Sequence, residues 1–132
     1  MLTLAMPEPV ESLHRTVALP EEFTWTDAEY EKLTLLARML HCNRVTAGRV
    51  LVFFLDHIQH NARGLAVAQL PELLAGFPVK WGYKKKRNDF LKLLCDLEFI
   101  YVRVNYWAKV RAKTYALGKA GQDLMDRLAL LS

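Results

Sequence analysis

The sequence of 132 residues has few cysteines and no long apolar run. With only Cys42 and Cys95 it cannot form a disulfide framework, and this usage favours a reducing compartment, the cytoplasm. The longest purely apolar run, from Val50 to Leu55, has six residues, whereas a membrane-spanning helix needs about 20. Residues 1–11 have no positive charge and no long apolar stretch, so we expect neither a secretory signal nor a membrane span.

The common catalytic and cofactor-binding motifs are also missing. There is no glycine-rich phosphate loop, no Gly-x-Ser-x-Gly turn and no paired acidic motif, so we expect neither an enzyme nor a cofactor. His57 and His60 are three residues apart, and His41 adjoins Cys42. A zinc site needs about four converging ligands, commonly with Cys-x-x-Cys spacing. We therefore expect these side chains to belong to the surface or the core and predict no metal site.

What the sequence does have is an uneven distribution of charge. The net charge is +4, but residues 1–60 carry −3 and residues 61–132 carry +7. Residues 80–113 alone contain ten basic and three acidic residues. An excess of this size indicates a polyanionic partner, although a solvated, soluble surface would have the same composition.

Changes in hydrophobic period predict a mainly helical domain. Residues 1–25 include three prolines and are expected to form an N-terminal arm, and the domain follows over 26–132. Thr26 and Glu29 form a capping box at the start of the first helix, and Thr46 is expected to cap the second. We predict helices over about 27–41, 47–61, 71–75, 83–97 and 119–131, a brief strand at 65–67, and hairpin strands over 100–104 and 109–115.

This order of helices and hairpin, from residue 64 to residue 121, resembles winged helix-turn-helix regulators of the broad kind that includes the MarR-like and PadR-like groups. The stretch Phe90–Ile100 is similar to a recognition helix that runs into the wing. The stretch Tyr115–Gly121 is similar to the return from the wing to the final helix. The resemblance implies a mainly α fold with a small β-hairpin: a winged-helix core over 46–117, flanking helices over 26–41 and 119–131, and double-stranded DNA as the partner.

The predicted recognition helix separates its apolar and basic residues. On a helical wheel, one side of the helix is apolar and consists of Phe90, Leu93, Leu94 and Leu97. The opposite side is polar and consists of Lys84, Lys85, Asn88 and Lys92, with Asp89 and Asp96 on its flank. The lysines suit phosphates, Asn88 suits a base edge such as that of adenine, and Arg87 lies nearer the core boundary. In the hairpin, the basic residues are expected to share one exposed face as a basic wing. The predicted DNA-binding residues are Lys80, Lys84, Lys85, Arg87, Asn88, Lys92, Arg103, Lys109, Arg111 and Lys113.

The flanking helices are more apolar than one buried face requires. The expected inner stripes are Tyr30, Leu33, Ala37 and Leu40 in the first helix and Leu117, Ala120, Leu124, Leu128 and Leu131 in the last. Leu35, Met39, Met125, Ala129 and Leu130 lie outside these stripes. We therefore expect a homodimer through the flanking helices, unless these helices use both sides within one chain.

Three functions remain open at this point. The first is a DNA-binding protein, either a dimeric transcriptional regulator or a replication or partition factor. The second is a winged-helix protein-interaction module in a larger assembly, whose basic face meets an acidic partner. The third is an RNA-binding protein in which Tyr106 and Trp107, near the hairpin tip, stack on unpaired bases.

Overall fold

The computed structural model describes residues 19–60, 70–82, 84–105 and 112–131, and at residues 84, 104, 105, 112 and 113 it describes the backbone alone. The elements in chain order are α1 (Asp27–Leu40), α2 (Arg44–Gln59), α3 (Leu70–Leu73), α4 (Lys84–Asp96), β1 (Ile100–Asn105), β2 (Ala112–Leu117) and α5 (Lys119–Leu130). The prediction of a mainly helical fold with one small antiparallel hairpin is confirmed. The strand predicted at 65–67 lies outside the described residues. No helix within these ranges combines the length and the apolarity needed to cross a bilayer.

Helix α1 begins at the predicted capping box. The Thr26 hydroxyl accepts a hydrogen bond from the backbone N–H of Glu29 (3.1 Å), and the Glu29 carboxylate accepts one from that of Thr26 (2.9 Å). The helix ends at Leu40, where His41 takes a left-handed conformation with φ 58°. The inner face differs from the predicted stripe, because Leu36 is fully buried whereas Tyr30 is 44% exposed.

Helix α2 begins earlier than the sequence pattern predicted. Asn43, not Thr46, is the N-cap residue: its side-chain oxygen accepts a hydrogen bond from the backbone N–H of Thr46 (2.7 Å). Both residue types can cap a helix, but the carbonyl of an earlier Asn reaches the third helical N–H and adds a turn. The helix therefore starts at Arg44 and ends at Gln59.

Helix α2 forms the centre of the core, because apolar side chains are buried on all of its sides. Phe54 packs edge-to-face on Phe90 of α4 with ring centroids 5.3 Å apart, and Phe90 in turn meets Trp81 at 5.0 Å. On another side, Phe53 packs on Phe77 at 5.6 Å. Burying aromatic rings in this way contributes most of the stability of such a core. The buried residues of α2 are Ala47, Gly48, Val50, Leu51, Val52, Phe53, Phe54, Leu55 and Ile58.

The end of the predicted N-terminal arm packs against the helices. Leu19, Phe23 and Trp25 are partly buried on the core, and the rings of Phe23 and Trp25 meet edge-to-face at 5.0 Å. A Cβ atom at Gly48 would lie 2.9 Å from the Trp25 ring, so the glycine makes room for the indole. Residues 19–25 therefore belong structurally with the domain that follows.

The hairpin and α5 are joined tightly to the end of α4. Glu98 takes a left-handed conformation (φ 67°), and the chain turns directly from α4 into β1. The backbone N–H of Gly118 then donates to the carbonyl of Phe99 (2.9 Å), and that of Ala120 donates to the carbonyl of Glu98 (3.0 Å). A Cβ atom at Gly121 would overlap the Phe99 carbonyl oxygen, which explains the glycine. The base of the hairpin is thus fixed between α4 and α5.

Helix α5 also differs from its predicted inner stripe. Leu124 is fully buried, and Met125, which lies outside that stripe, is buried as well. Leu131, which belongs to the stripe, is 42% exposed at the C-cap position that follows Leu130. The buried side of α5 therefore extends through Met125 to the partly buried Leu128, and residues 129–131 lie at the surface.

Candidate nucleic-acid interface

Helix α4 has one buried and one exposed side, as its sequence predicts. Phe90 and Leu94 are fully buried and fix the helix on the core, together with Leu91, which the wheel did not assign to the inner side. Leu93 and Leu97 are half-buried. Of the predicted contact residues of α4 with described side chains, Lys85, Asn88 and Lys92 are exposed on the opposite side. The side chain of Lys85 is 86% exposed.

Further positive charge collects at the start of α4. Lys80 is exposed ahead of the helix, and Lys84 is its first residue. Cations are unfavourable at a helix N-terminus because the unpaired N–H groups there carry partial positive charge. Such a cluster of cations can be stabilised by an anion.

Arg87 lies at the boundary between the two sides, as expected. The residue is half-buried, and its Nε atom is enclosed without a hydrogen-bond partner in the described structure. The Nε1 atom of Trp81, whose ring packs on Phe90, is likewise buried without a hydrogen-bond partner in the described structure. Arg87 therefore has less freedom than Lys85 to reach a ligand, because part of its guanidinium stem is fixed against the domain.

Lys86, which sequence reasoning left out of the predicted contacts, faces the end of α1. Its positive charge acts on the thiol of Cys42, although burial outweighs that effect and raises the pKa of Cys42 above the ordinary value. Burial, with a smaller effect from Asp96, likewise raises the pKa of Cys95 on α4. Both thiols therefore stay protonated at neutral pH, which makes them poor nucleophiles.

Two carboxylates lie on the exposed side of α4. Lys85, Asp89, Lys92 and Asp96 fall within roughly 60° of the helix circumference, because a helix has 3.6 residues per turn. The ammonium group of Lys85 lies 3.0 Å from a carboxylate oxygen of Asp89. The wheel placed both aspartates on the flank, yet the four-residue spacing between Lys85 and Asp89 is the spacing at which helix side chains pair. The middle of the exposed side is therefore balanced in charge, and the excess positive charge lies towards the helix start.

The hairpin contradicts the prediction of one basic face. Its register pairs Arg103 with Thr114 and Val104 with Lys113. Residues opposite each other share a face and successive residues alternate, so positions 103 and 113 lie on opposite faces. The prediction that they share one face is wrong, because the parity of β2 relative to β1 depends on the connection between the strands. The predicted residues Lys109 and Arg111, with Tyr106 and Trp107, lie outside the described residues.

Beyond its first pair of residues the hairpin is exposed along β1, whereas residues 114–116 of β2 are half-buried and Tyr115 packs on the core. Ile100 is buried at the base, whereas Tyr101 and Val102, which point to opposite faces, are 49% and 42% exposed. Arg103 is exposed one residue further on, where the Thr114 hydroxyl donates a hydrogen bond to its carbonyl (3.4 Å). Arg103 on β1 is therefore accessible to a ligand.

The described histidines and cysteines do not form a candidate metal centre. Within the part of the chain that the structure describes, no three His, Cys, Asp or Glu side chains are close enough to hold a metal ion. The Nδ1 atom of His60 lies 3.4 Å from the carboxylate of Asp56. Burial lowers the pKa of His57, and the charge of Asp56 acts weakly in the opposite direction.

Comparison of the chain with protein-family models, with curated proteins and with solved structures finds no match.

Proposed function

We propose that this chain is a double-stranded DNA-binding protein of the winged helix-turn-helix kind. Helices α3 and α4 would form the helix-turn-helix, and the β1–β2 hairpin would be the wing. Helix α4 would enter the major groove, whose width admits one α-helix. The observation that carries the proposal is the exposed row of Lys85, Asn88 and Lys92 on a helix fixed by Phe90 and Leu94.

The contact residues would bind different parts of the DNA. Lys80 and Lys85, near the start of α4, would neutralise phosphates at the groove edge, and Asn88 would reach a base edge in the groove. Arg103 on the exposed strand β1 would contact the adjacent sugar-phosphate backbone. The tight turn at Glu98 supports this division, because it holds the base of the hairpin at a fixed position relative to α4.

The proposal extends to a homodimer formed by the flanking helices. Leu35 of α1 is 45% exposed, and Leu130 at the end of α5 is 84% exposed. A twofold dimer would offer two α4 helices to successive major-groove segments. Sedimentation equilibrium of Leu130→Gln should show weaker association than the native chain, whereas Val45→Gln, at a 73% exposed position of α2, should associate normally. Equal association of all three proteins would exclude α5 from the interface.

Measuring the salt dependence of duplex binding tests the DNA proposal. The Lys85→Gln/Lys92→Gln double variant should lower the slope of log Kd against log salt concentration by about 2, because each lost phosphate contact lowers it by about 1. Lys119→Gln is the control for a single lost charge. Lys119 adjoins the turn after α4, about 20 Å along the helix from Lys85. A double variant that keeps the native slope, or a control that loses as much as Lys85→Gln alone, would contradict the proposal.

A protein-interaction module is the second candidate, and one observation favours it. The middle of the exposed side of α4 alternates in charge, with Asp89 and Asp96 between and beyond the lysines. A protein partner whose charges complement this pattern would bind independently of nucleic acid, and its affinity would fall less steeply with salt than that of a long duplex. Absence of duplex binding by the native chain at low salt would favour this candidate.

A further inference from the structure

The exposed side of α4 contains an acidic residue in a place that phosphate binding does not explain. Asp89 lies one turn after Lys85 and one turn before Lys92, and its side chain is 47% exposed. A carboxylate repels phosphates and weakens attraction to DNA as a polyanion. A surface that served only to hold the DNA backbone would be stronger without it.

The pair formed by Lys85 and Asp89 is easily separated. The two groups are 3.0 Å apart, but the lysine side chain is 86% exposed, and water solvates both partners. Exposed pairs of this kind add little to stability, and a lysine four residues before an acid is the less favourable orientation on a helix. Lys85 can therefore move to a phosphate at little cost, and this movement leaves the Asp89 carboxylate free.

We propose that Asp89 is a specificity-determining residue of the DNA-binding surface, and this inference rests on the proposed function. In the major groove a carboxylate accepts a hydrogen bond from the amino group of cytosine. The edges of guanine and the O4 atom of thymine offer only acceptors, which repel it. Adenine also has an amino group, but the acceptor N7 atom beside it repels a carboxylate. Asp89 would therefore favour a cytosine at one position of the site and disfavour sequences that have guanine or thymine there.

The pair of Lys85 and Asp89 would also act in the free protein. While Lys85 is bound to Asp89, part of the positive charge at the start of α4 is neutralised. Random DNA offers phosphates to Lys85 but often no amino group to Asp89. Asp89 thus weakens binding to random sequences more than binding to the preferred site, and specificity is the difference between the two affinities.

Selection of duplexes from a randomised pool, followed by affinity measurement, tests this role. The native chain should enrich duplexes with a cytosine at one fixed position. Asp89→Asn should replace that preference with adenine, because an amide matches adenine, and it should bind random duplex about tenfold more tightly. The matched control is Asp96→Asn, which changes the charge equally on the same side of α4. It should keep the cytosine preference.

The outcomes separate this inference from the proposed function. A native chain that binds no duplex overturns both. A native chain that binds duplex with strong salt dependence, while Asp89→Asn selects the same sequences as native, overturns the role of Asp89 alone. Equal effects of Asp89→Asn and Asp96→Asn on base preference would also overturn it, because general charge would then explain the change. Lys85→Gln should lower affinity without changing the preferred base.

Discussion

Helices α2 and α4 are packed against each other through Phe54 and Phe90, yet they differ in how much of their surface is buried. Helix α2 buries apolar residues on all sides. Helix α4 buries one side and exposes lysines, Asn88 and two aspartates on the other. The composition of α2 is therefore determined by packing, whereas the exposed side of α4 is not constrained by the fold. Residues on that side can be changed to test function without unfolding the protein.

The largest effect on stability is expected in the middle of α2. Phe54 is fully buried, and its replacement by alanine should cost about 3 to 5 kcal/mol, the usual result for truncating a buried phenylalanine. Urea unfolding followed by circular dichroism measures this loss. Val45→Ala in the same helix, at a 73% exposed position, should change stability by less than about 0.5 kcal/mol. Similar values for the two variants would show that α2 is not central to the core.

A smaller loss of stability is expected when an ion pair between two helices is broken. The Nη1 atom of Arg127 on α5 donates to Glu29 on α1 at 2.6 Å, and Arg127 also donates to the carbonyl of Thr24 at 2.9 Å. Glu29→Gln should cost about 1 to 2 kcal/mol at neutral pH, because a charged hydrogen bond is weakened while the helix cap can persist.

The same contact makes this cost dependent on pH. Burial raises the pKa of Glu29, but its bonds to Arg127 and Thr26 outweigh burial, and the pKa lies below the ordinary value of 4.5. The charged carboxylate therefore stabilises the fold above pH 4.5, and this contribution is lost as the pH falls through the lowered pKa. Unfolding midpoints of the native chain and Glu29→Gln should converge in that acidic range. A constant difference down to the lowest pH would mean that the charge does not contribute.

A modest gain in stability is expected at the end of α4. Glu98 has a positive φ of 67°, which costs a residue with a side chain about 1 kcal/mol relative to glycine. Glu98→Gly should therefore raise the unfolding midpoint, although the more flexible unfolded chain of the variant offsets part of the gain. Glu72→Gly, in the short helix α3, is a useful control that should be destabilising. A loss at both positions would indicate that the Glu98 side chain makes a stabilising contact.

The smallest effect on stability is expected on the exposed side of α4. Lys92→Gln should change the free energy of unfolding by less than about 0.5 kcal/mol, because the side chain is exposed and glutamine is an equally good helix former. In the duplex-binding assay the same variant should bind DNA with lower affinity than the native chain. A substantial loss of stability would mean that this side is less independent of the fold than its exposure suggests.

The sequence predicted which helices and strands form better than it predicted where they begin and which segments they contact. The capping box at Thr26 and the change of period after Leu97 are local signals, and both locate an element in the structure. The start of α2 was misplaced because Asn43 and Thr46 are both good caps, and the sequence does not show which one the chain uses. The packing of Trp25 over Gly48 depends on contacts between distant segments, which no local pattern contains.

The candidate site shows the same limit. The exposure of Lys85, Asn88 and Lys92 follows from helical periodicity and was predicted. The faces of Arg103 and Lys113 depend on strand register, which is fixed by the connection between the strands and not by alternation within each one. The Lys85–Asp89 pair has a recognisable spacing, but whether the two side chains meet depends on their rotamers.

The close approach of Gly118 and Gly121 to the turn after α4 has a mechanical consequence. Backbone meets backbone there, with no side chain between them to absorb a displacement. A force that tilts the hairpin must therefore be transmitted to the first turn of α5, so that the hairpin and α5 move together.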